Sequence, residues 1–183
     1  MKSTPIRILV LTVAAALAAV VLTTPAQAAA YCGLTWGSLP KAASAADTEV
    51  VTNVRAGRHE CFDRLVINLG GQDSSFGSYD VRYVSRVYTE GQGKPVSVRG
   101  DADLRIILKA PAHDQHGNAT FTPANRTEVV NLSGYPAFRQ LAWAGSFEGQ
   151  TTMALGIRAR LPFRVLTLDG PSPRLVIDVA RRW

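Results

Sequence analysis

The sequence predicts an all-β fold, an antiparallel β-sandwich or partly open barrel of about nine short strands. Three observations lead there. Apolar residues recur at every second position, as in Leu65, Ile67 and Leu69 interleaved with Arg64, Val66 and Asn68, which is the period of a strand with one buried face. Most apolar runs are short and bounded by turn formers, at Gly70-Gly71, Gly91-Gln92-Gly93, Gly117-Asn118, Ser133-Gly134 and Gly170-Pro171. After the first thirty residues, no segment sustains the 3.6-residue period of a helix.

Taken in order, residues 1–28 predict a secretory signal peptide. Lys2 and Arg7 make a positive start, Ile8 to Leu22 is almost wholly apolar, and Ala26-Gln27-Ala28 supplies small residues for cleavage. The apolar run is shorter than a membrane-spanning helix needs, so the expectation is a secreted, extracellular, wall-associated chain without a stable membrane span after cleavage. Residues 29–48 read as an irregular segment tied at Cys32, and residues 49–183 as one β domain. Strands are expected from Glu49, then at Arg64 to Leu69, Tyr79 to Tyr88, Pro95 to Arg99, Leu104 to Lys109, Glu128 to Leu132, Gln140 to Phe147, Thr151 to Arg158, Phe163 to Leu168 and Leu175 to Val179. Ala110 to Thr127, with Pro111, Pro123, His113 and His116, reads as an exposed loop.

Without Lys2 and Arg7 the chain carries 18 basic against 14 acidic residues, a net charge of +4. That mild excess favours anionic surfaces but lacks the dense basic runs of a nucleic-acid reader, so no nucleic-acid partner is expected. Arginine outnumbers lysine, and its planar fork suits bidentate carboxylate pairs. Cys32 and Cys61 are the two cysteines, and in an oxidising compartment they allow one bridge, closing a loop worth about 3 to 4 kcal/mol. Tyr31 stands where a lipid-modified cysteine would want a small residue. The rival reading, Cys61 as a thiol nucleophile beside His59, needs a free thiol.

The two stretches Arg64-Leu-Val-Ile-Asn-Leu and Arg174-Leu-Val-Ile-Asp-Val nearly repeat. With "AGRHECFDRLVINLGG", "YDVRYV", "AGSFEGQTTMALGIR" and "PFRVLTLDGPSPRLVIDVA" they resemble the AMIN-like domain of secreted actinobacterial proteins, related to the AMIN domain of cell-wall amidases and secretins. The resemblance implies a β-sandwich envelope module that binds peptidoglycan or helps place an enzyme at the wall. In the AMIN pattern the arginine-led strands lie close in sequence, whereas here 110 positions separate Arg64 from Arg174.

Searches for chemistry give little. His59 and Asp63 stand four apart, but no Gly-x-Ser-x-Gly elbow supplies a nucleophile, and Asp63 shares parity with Leu65 and Ile67, as a carboxylate at the core rim accepting from turn amides or an arginine would. His113, Asp114 and His116 lack the further ligands a zinc site needs. Glu148, Asp101 and Asp103 are carboxylates a glycosidase could use, though Glu148 in its tight turn also suits Arg158 or Arg164 as a partner. The expectation is therefore a non-catalytic module with no cofactor and no metal, binding a cell-wall polymer, peptidoglycan first. A wall hydrolase with an unrecognised site and an interaction module for a wall enzyme are the alternatives. Candidate binding residues are Trp36, Arg58, His59, Arg64, Arg82, Arg86, Tyr88 and Trp143: arginine for carboxylates, flat rings for sugars.

Overall fold

The computed structural model describes residues 30–71 and 74–183; the signal peptide expected over residues 1–28 lies outside them. Among the described residues there are eleven strands and no helix: β1 (Lys41–Ala43), β2 (Val50–Arg58), β3 (Phe62–Gly70), β4 (Tyr79–Val84), β5 (Val87–Tyr88), β6 (Pro95–Val96), β7 (Ala102–Leu108), β8 (Phe138–Phe147), β9 (Gln150–Ile157), β10 (Phe163–Leu168) and β11 (Arg174–Ala180). They form a five-stranded sheet ordered β1-β4-β7-β9-β8, a four-stranded sheet ordered β10-β11-β3-β2, and the small pair β5-β6, all antiparallel. The sheets do not close into a barrel; the fold is the predicted sandwich.

The alternation seen in the sequence becomes one shared core. Leu65, Ile67 and Leu69 of β3, with Leu175, Ile177 and Val179 of β11, pack with Leu104, Ile106 and Leu108 of β7 and with Met153, Leu155 and Ile157 of β9. Burying each such side chain contributes about 1.5 to 3 kcal/mol. Asp63, on the same inward parity, is fully buried and accepts from the amides of Ala137 at 2.6 Å and Phe138 at 3.2 Å, with Arg181 Nε 3.5 Å away. The expected rim carboxylate thus ties β3 to the start of β8 and satisfies two amides that burial would otherwise strand.

Three expectations need correction. The single run Tyr79 to Tyr88 breaks at Ser85-Arg86, because β5 leaves the sheet and folds over its outer face. There Val87 packs against Ala142, Ala144 and Ala154. Close approach is possible only because the surface beneath is small: a Cβ on Gly156 would stand 1.9 Å from the Arg99 carbonyl oxygen. Glu128 to Leu132 is not a strand. Asn125 Oδ1 takes the amides of Thr127 and Glu128, and Asn131 Oδ1 takes that of Ser133, so side chains compete with a ladder. The segment still lines the β8 edge through Val129 N to Leu141 O at 2.8 Å and Trp143 N to Arg126 O at 2.7 Å.

The third correction concerns the segment before Glu49, which is more than a tether. The Phe163 amide donates to Gly37 O at 2.9 Å, and Lys41 to Ala43 pair with Val81 to Tyr79. Ser78 Oγ exchanges hydrogen bonds with the Ala45 backbone, and Asp47 accepts from the Gly77 amide. The strap therefore fastens β10 of one sheet to β4 of the other, anchored at its start by the Cys32–Cys61 disulfide.

Candidate functional site

The near-repeated strands β3 and β11 are antiparallel neighbours, and that relation builds the site. Their register sets Arg64 opposite Asp178 and Arg174 opposite Asn68, all on the outer face of the four-stranded sheet. On the far side of β11, Asp178 also faces Arg164 of β10. The Asp178 carboxylate is fully buried and accepts from Arg64 Nε at 2.7 Å, Arg64 Nη2 at 2.9 Å and Arg164 Nε at 2.8 Å. One carboxylate thus holds two guanidiniums by charge-assisted bonds, leaving one positive charge in surplus. The hydrogen bond to Asp178 raises the Arg64 pKa further above its ordinary value.

Aromatic rings brace this clamp. The Arg64 guanidinium lies 5.2 Å over the Phe62 ring, and that of Arg164 lies 5.4 Å over Phe62 and 5.3 Å over Trp36. Trp36 meets Phe62 at 5.8 Å, and His59 stacks on Phe62 at 4.5 Å. Trp36 arrives from the strap, held by the disulfide and by its own Nε1 donating to Tyr31 O at 2.7 Å. The two arginine side chains remain 27% and 23% exposed, so N–H groups not used by Asp178 stay open to solvent. Chemically the arrangement is a rigid cationic pair with apolar rings at its side, suited to an anionic group.

Three of the predicted residues, Trp36, His59 and Arg64, therefore share one end of this face; the other five do not. Trp36 itself is 4% exposed, so it supports Arg164 rather than offering an open ring. Arg58 turns to the opposite side, toward Gly134 O at 3.4 Å and the Tyr135 ring. Arg82 lies on the outer face of the other sheet, paired with Asp80, which also receives Arg105. Arg86 is exposed in the break between β4 and β5, and Tyr88 is exposed on β5. Trp143 is buried against Phe121. The strand interruption after Val84 separates Arg82 from Arg86, so these two and the tryptophans form no common surface.

Among the carboxylate candidates, Glu148 stands far from Asp101 and Asp103. Asp101 and Asp103 share a cleft of about 350 Å³ with Arg86, and burial raises the Asp103 pKa, with Arg86 opposing. Glu148 sits with φ 48° in the turn before β9. Asp103 pairs with Gly156 near the other end of that strand, about 20 Å away at 3.4 Å per residue. Glycosidase carboxylates stand roughly 5 to 9.5 Å apart. Glu148 has neither expected arginine, since Arg164 holds Asp178 and Arg158 donates to Arg181 O. Asp114 accepts from the Asn118 side-chain amide, then from the Asn118 and His116 backbone amides, in a local turn, which lowers its pKa. Among the described residues, no group of three His, Cys, Asp or Glu is placed to hold a metal.

An open cleft of about 640 Å³ is lined by Arg99, Glu128, Tyr135 and Arg139 among others. Its charges are engaged internally: Arg99 pairs with Glu128 at 2.5 Å, and Arg139 Nη1 donates to the carbonyls of Tyr135, Pro136 and Phe138. Sequence reasoning missed Phe62, Arg164 and Asp178. The signal for Asp178 was in the near-repeat, because two strands of the form Arg-x-x-x-Asx, set antiparallel, bring each arginine to the other's Asx.

The model of the AMIN-like domain matches residues 49–181. No curated protein and no solved structure matches the chain.

Proposed function

Since the chain belongs to the AMIN-like domain family, we propose that it is a non-catalytic module of the cell envelope that binds a wall polymer, peptidoglycan or another, through the outer face of its four-stranded sheet. The observation that carries this reading is the Asp178 clamp: two arginines locked by one buried carboxylate and braced on Phe62 and Trp36. Locking the side chains in advance lowers the entropy that binding would otherwise cost. The family and the disulfide both fit an extracellular or wall-associated protein. The separation of Glu148 from Asp101 and Asp103 supports the absence of glycan cleavage.

Co-sedimentation of the exported protein with insoluble cell wall, at low and moderate salt, tests the reading. The protein should pellet with the wall, and Arg164→Ala should retain its melting temperature within a few degrees while binding at least tenfold more weakly. Protein left in the supernatant at both salts would sink the proposal. New reducing ends or free amines in the wall digest would move the chain to the hydrolases.

A further inference from the structure

The outer face of the four-stranded sheet carries a triad of arginine, Asx and arginine twice. Because β3 and β11 are antiparallel, an approximate two-fold axis between Val66 and Val176 exchanges Arg64 with Arg174 and Asp178 with Asn68. In the first triad Asp178 accepts from Arg64 Nε at 2.7 Å and from Arg164 Nε at 2.8 Å. In the second, Asn68 accepts through Oδ1 from Arg55 Nε at 3.2 Å. There the likeness ends. The other polar atom of the Asn68 side chain is Nδ2, a donor, so it cannot accept from Arg174 as Asp178 accepts from Arg64. Arg174 Nε is buried with no acceptor at all.

The charges divide in the same way. Asp178 offsets one of the two guanidiniums it holds, whereas Arg55 and Arg174 flank an uncharged amide, and among the described residues neither pairs with a carboxylate. Arg55 lies opposite Val66 and leans along the sheet to reach Asn68, which gathers both cations at one end of the face. Along β3, Asn68 stands four residues beyond Arg64, about 14 Å at 3.4 Å per residue, so the two triads are separate sites. Arg55 is exposed, and Asn68 and Arg174 are half-buried, which leaves the second triad open to solvent. It presents donors from three strands and two uncompensated charges. What it lacks is the one thing its twin contains, a negatively charged acceptor. An oxyanion supplies that, because its lone pairs accept charge-assisted bonds from guanidinium forks and satisfy an N–H that burial has stranded.

We propose that Arg55, Asn68 and Arg174 form the oxyanion subsite of this face, where a carboxylate or phosphate group of the bound polymer takes the acceptor role that Asp178 plays in the twin triad. The inference rests on the wall-binding reading above and names its principal anion contact. Asn68 is the residue that keeps the subsite vacant for a ligand: an acid there would close the triad on itself, as Asp178 does.

Two measurements on the full exported chain test this. In the first, inorganic phosphate and acetate are titrated at constant ionic strength while the arginine Nε–H resonances are followed by NMR. The Arg55 and Arg174 resonances should move more than those of Arg64 and Arg164, and should stay still in Asn68→Asp, where the triad holds its own acid. The second is co-sedimentation with insoluble wall. Asn68→Asp and Arg174→Gln should each bind about tenfold more weakly than the wild type, with Asn68→Asp melting at the same temperature or higher. Repeating the assay on wall stripped of phosphodiester polymers by acid, and on wall whose carboxylates have been amidated, identifies the source of the oxyanion as the treatment that abolishes the wild-type advantage over Asn68→Asp. Resonances that ignore both anions, folded variants that pellet like the wild type, or an advantage that survives both treatments would each overturn the subsite and leave wall binding standing. Responsive resonances in a protein that stays in the supernatant would overturn wall binding and leave the oxyanion site.

Discussion

Replacing Asp178 with asparagine tests whether the arginine clamp is held as described. The native carboxylate is fully buried and accepts three charge-assisted hydrogen bonds, two from Arg64 and one from Arg164. Asparagine keeps the volume and one acceptor oxygen, but its amide group sets N–H against a guanidinium and its charge is gone. Removing one partner of a buried ion pair costs about 3 to 5 kcal/mol. Here both arginines are about a quarter exposed and regain some hydration, which lowers the expected loss to about 2 to 3 kcal/mol. For a domain of this size that is a fall of about 5 to 10 °C in Tm. Each arginine can hold the carboxylate alone, so Arg64→Gln and Arg164→Gln should each cost about 1 kcal/mol and combine non-additively. Calorimetric unfolding at pH 7, at low salt and at 1 M, reads all of this. Because the carboxylate is buried, most of the Asp178→Asn deficit should persist at high salt. A deficit below about 0.5 kcal/mol, or one abolished by salt, would refute the clamp as a structural element.

Other consequences follow from single contacts. Cys32→Ser with Cys61→Ser opens a link between residues 29 apart, which should cost about 3 to 4 kcal/mol and red-shift tryptophan emission as Trp36 loses its anchor; an unshifted spectrum would count against the strap. Gly156→Ala puts a methyl 1.9 Å from Arg99 O, in a segment held by Arg99 N to Gln140 Oε1 and Asp101 N to Ile157 O. A cost of about 2 kcal/mol or more is expected by calorimetry, and a neutral result would mean that the third layer is loosely docked. Tyr83 donates to Leu161 O at 2.7 Å, and burial drives its pKa well above the ordinary value of 10. Its contribution is complete below pH 10 and declines by about 1.4 kcal/mol per pH unit above it, as the unfolded chain alone loses the proton. Tyr83→Phe should therefore be about 1 kcal/mol less stable at pH 8 and match or exceed the wild type near pH 11. A constant difference between these pH values in denaturant titrations would refute the assignment.

Much of the sandwich was readable from local pattern. Alternation in Arg64 to Leu69 and in Leu175 to Val179 assigned the inward side chains correctly, because strand periodicity depends only on the chain itself. Two cysteines allowed one bridge, and it is formed. The parity of Asp63 marked a carboxylate that would need amide donors, which Ala137 and Phe138 supply. Less readable were the small residues at Ala142, Ala144, Ala154 and Gly156, which look like weak strand formers until β5 and β6 lie over them.

The sequence by itself determined the strand character, the buried parity and the covalent link, all of which follow from spacing and residue chemistry. Tertiary structure decided which charges meet. Arg64 and Asp178 are 114 residues apart and touch only because β3 and β11 became neighbours in one particular register. A slip of one residue between these strands would have set the two side chains on opposite faces of the sheet. The same docking buried Trp36 and Trp143, whose rings the sequence offered to a ligand, and left Arg55 and Arg174 on the open face with no acid partner among the described residues. Strand pattern is local and can be read along the chain, whereas the pairing that assembles a charged face is non-local and is settled only when the sheets pack.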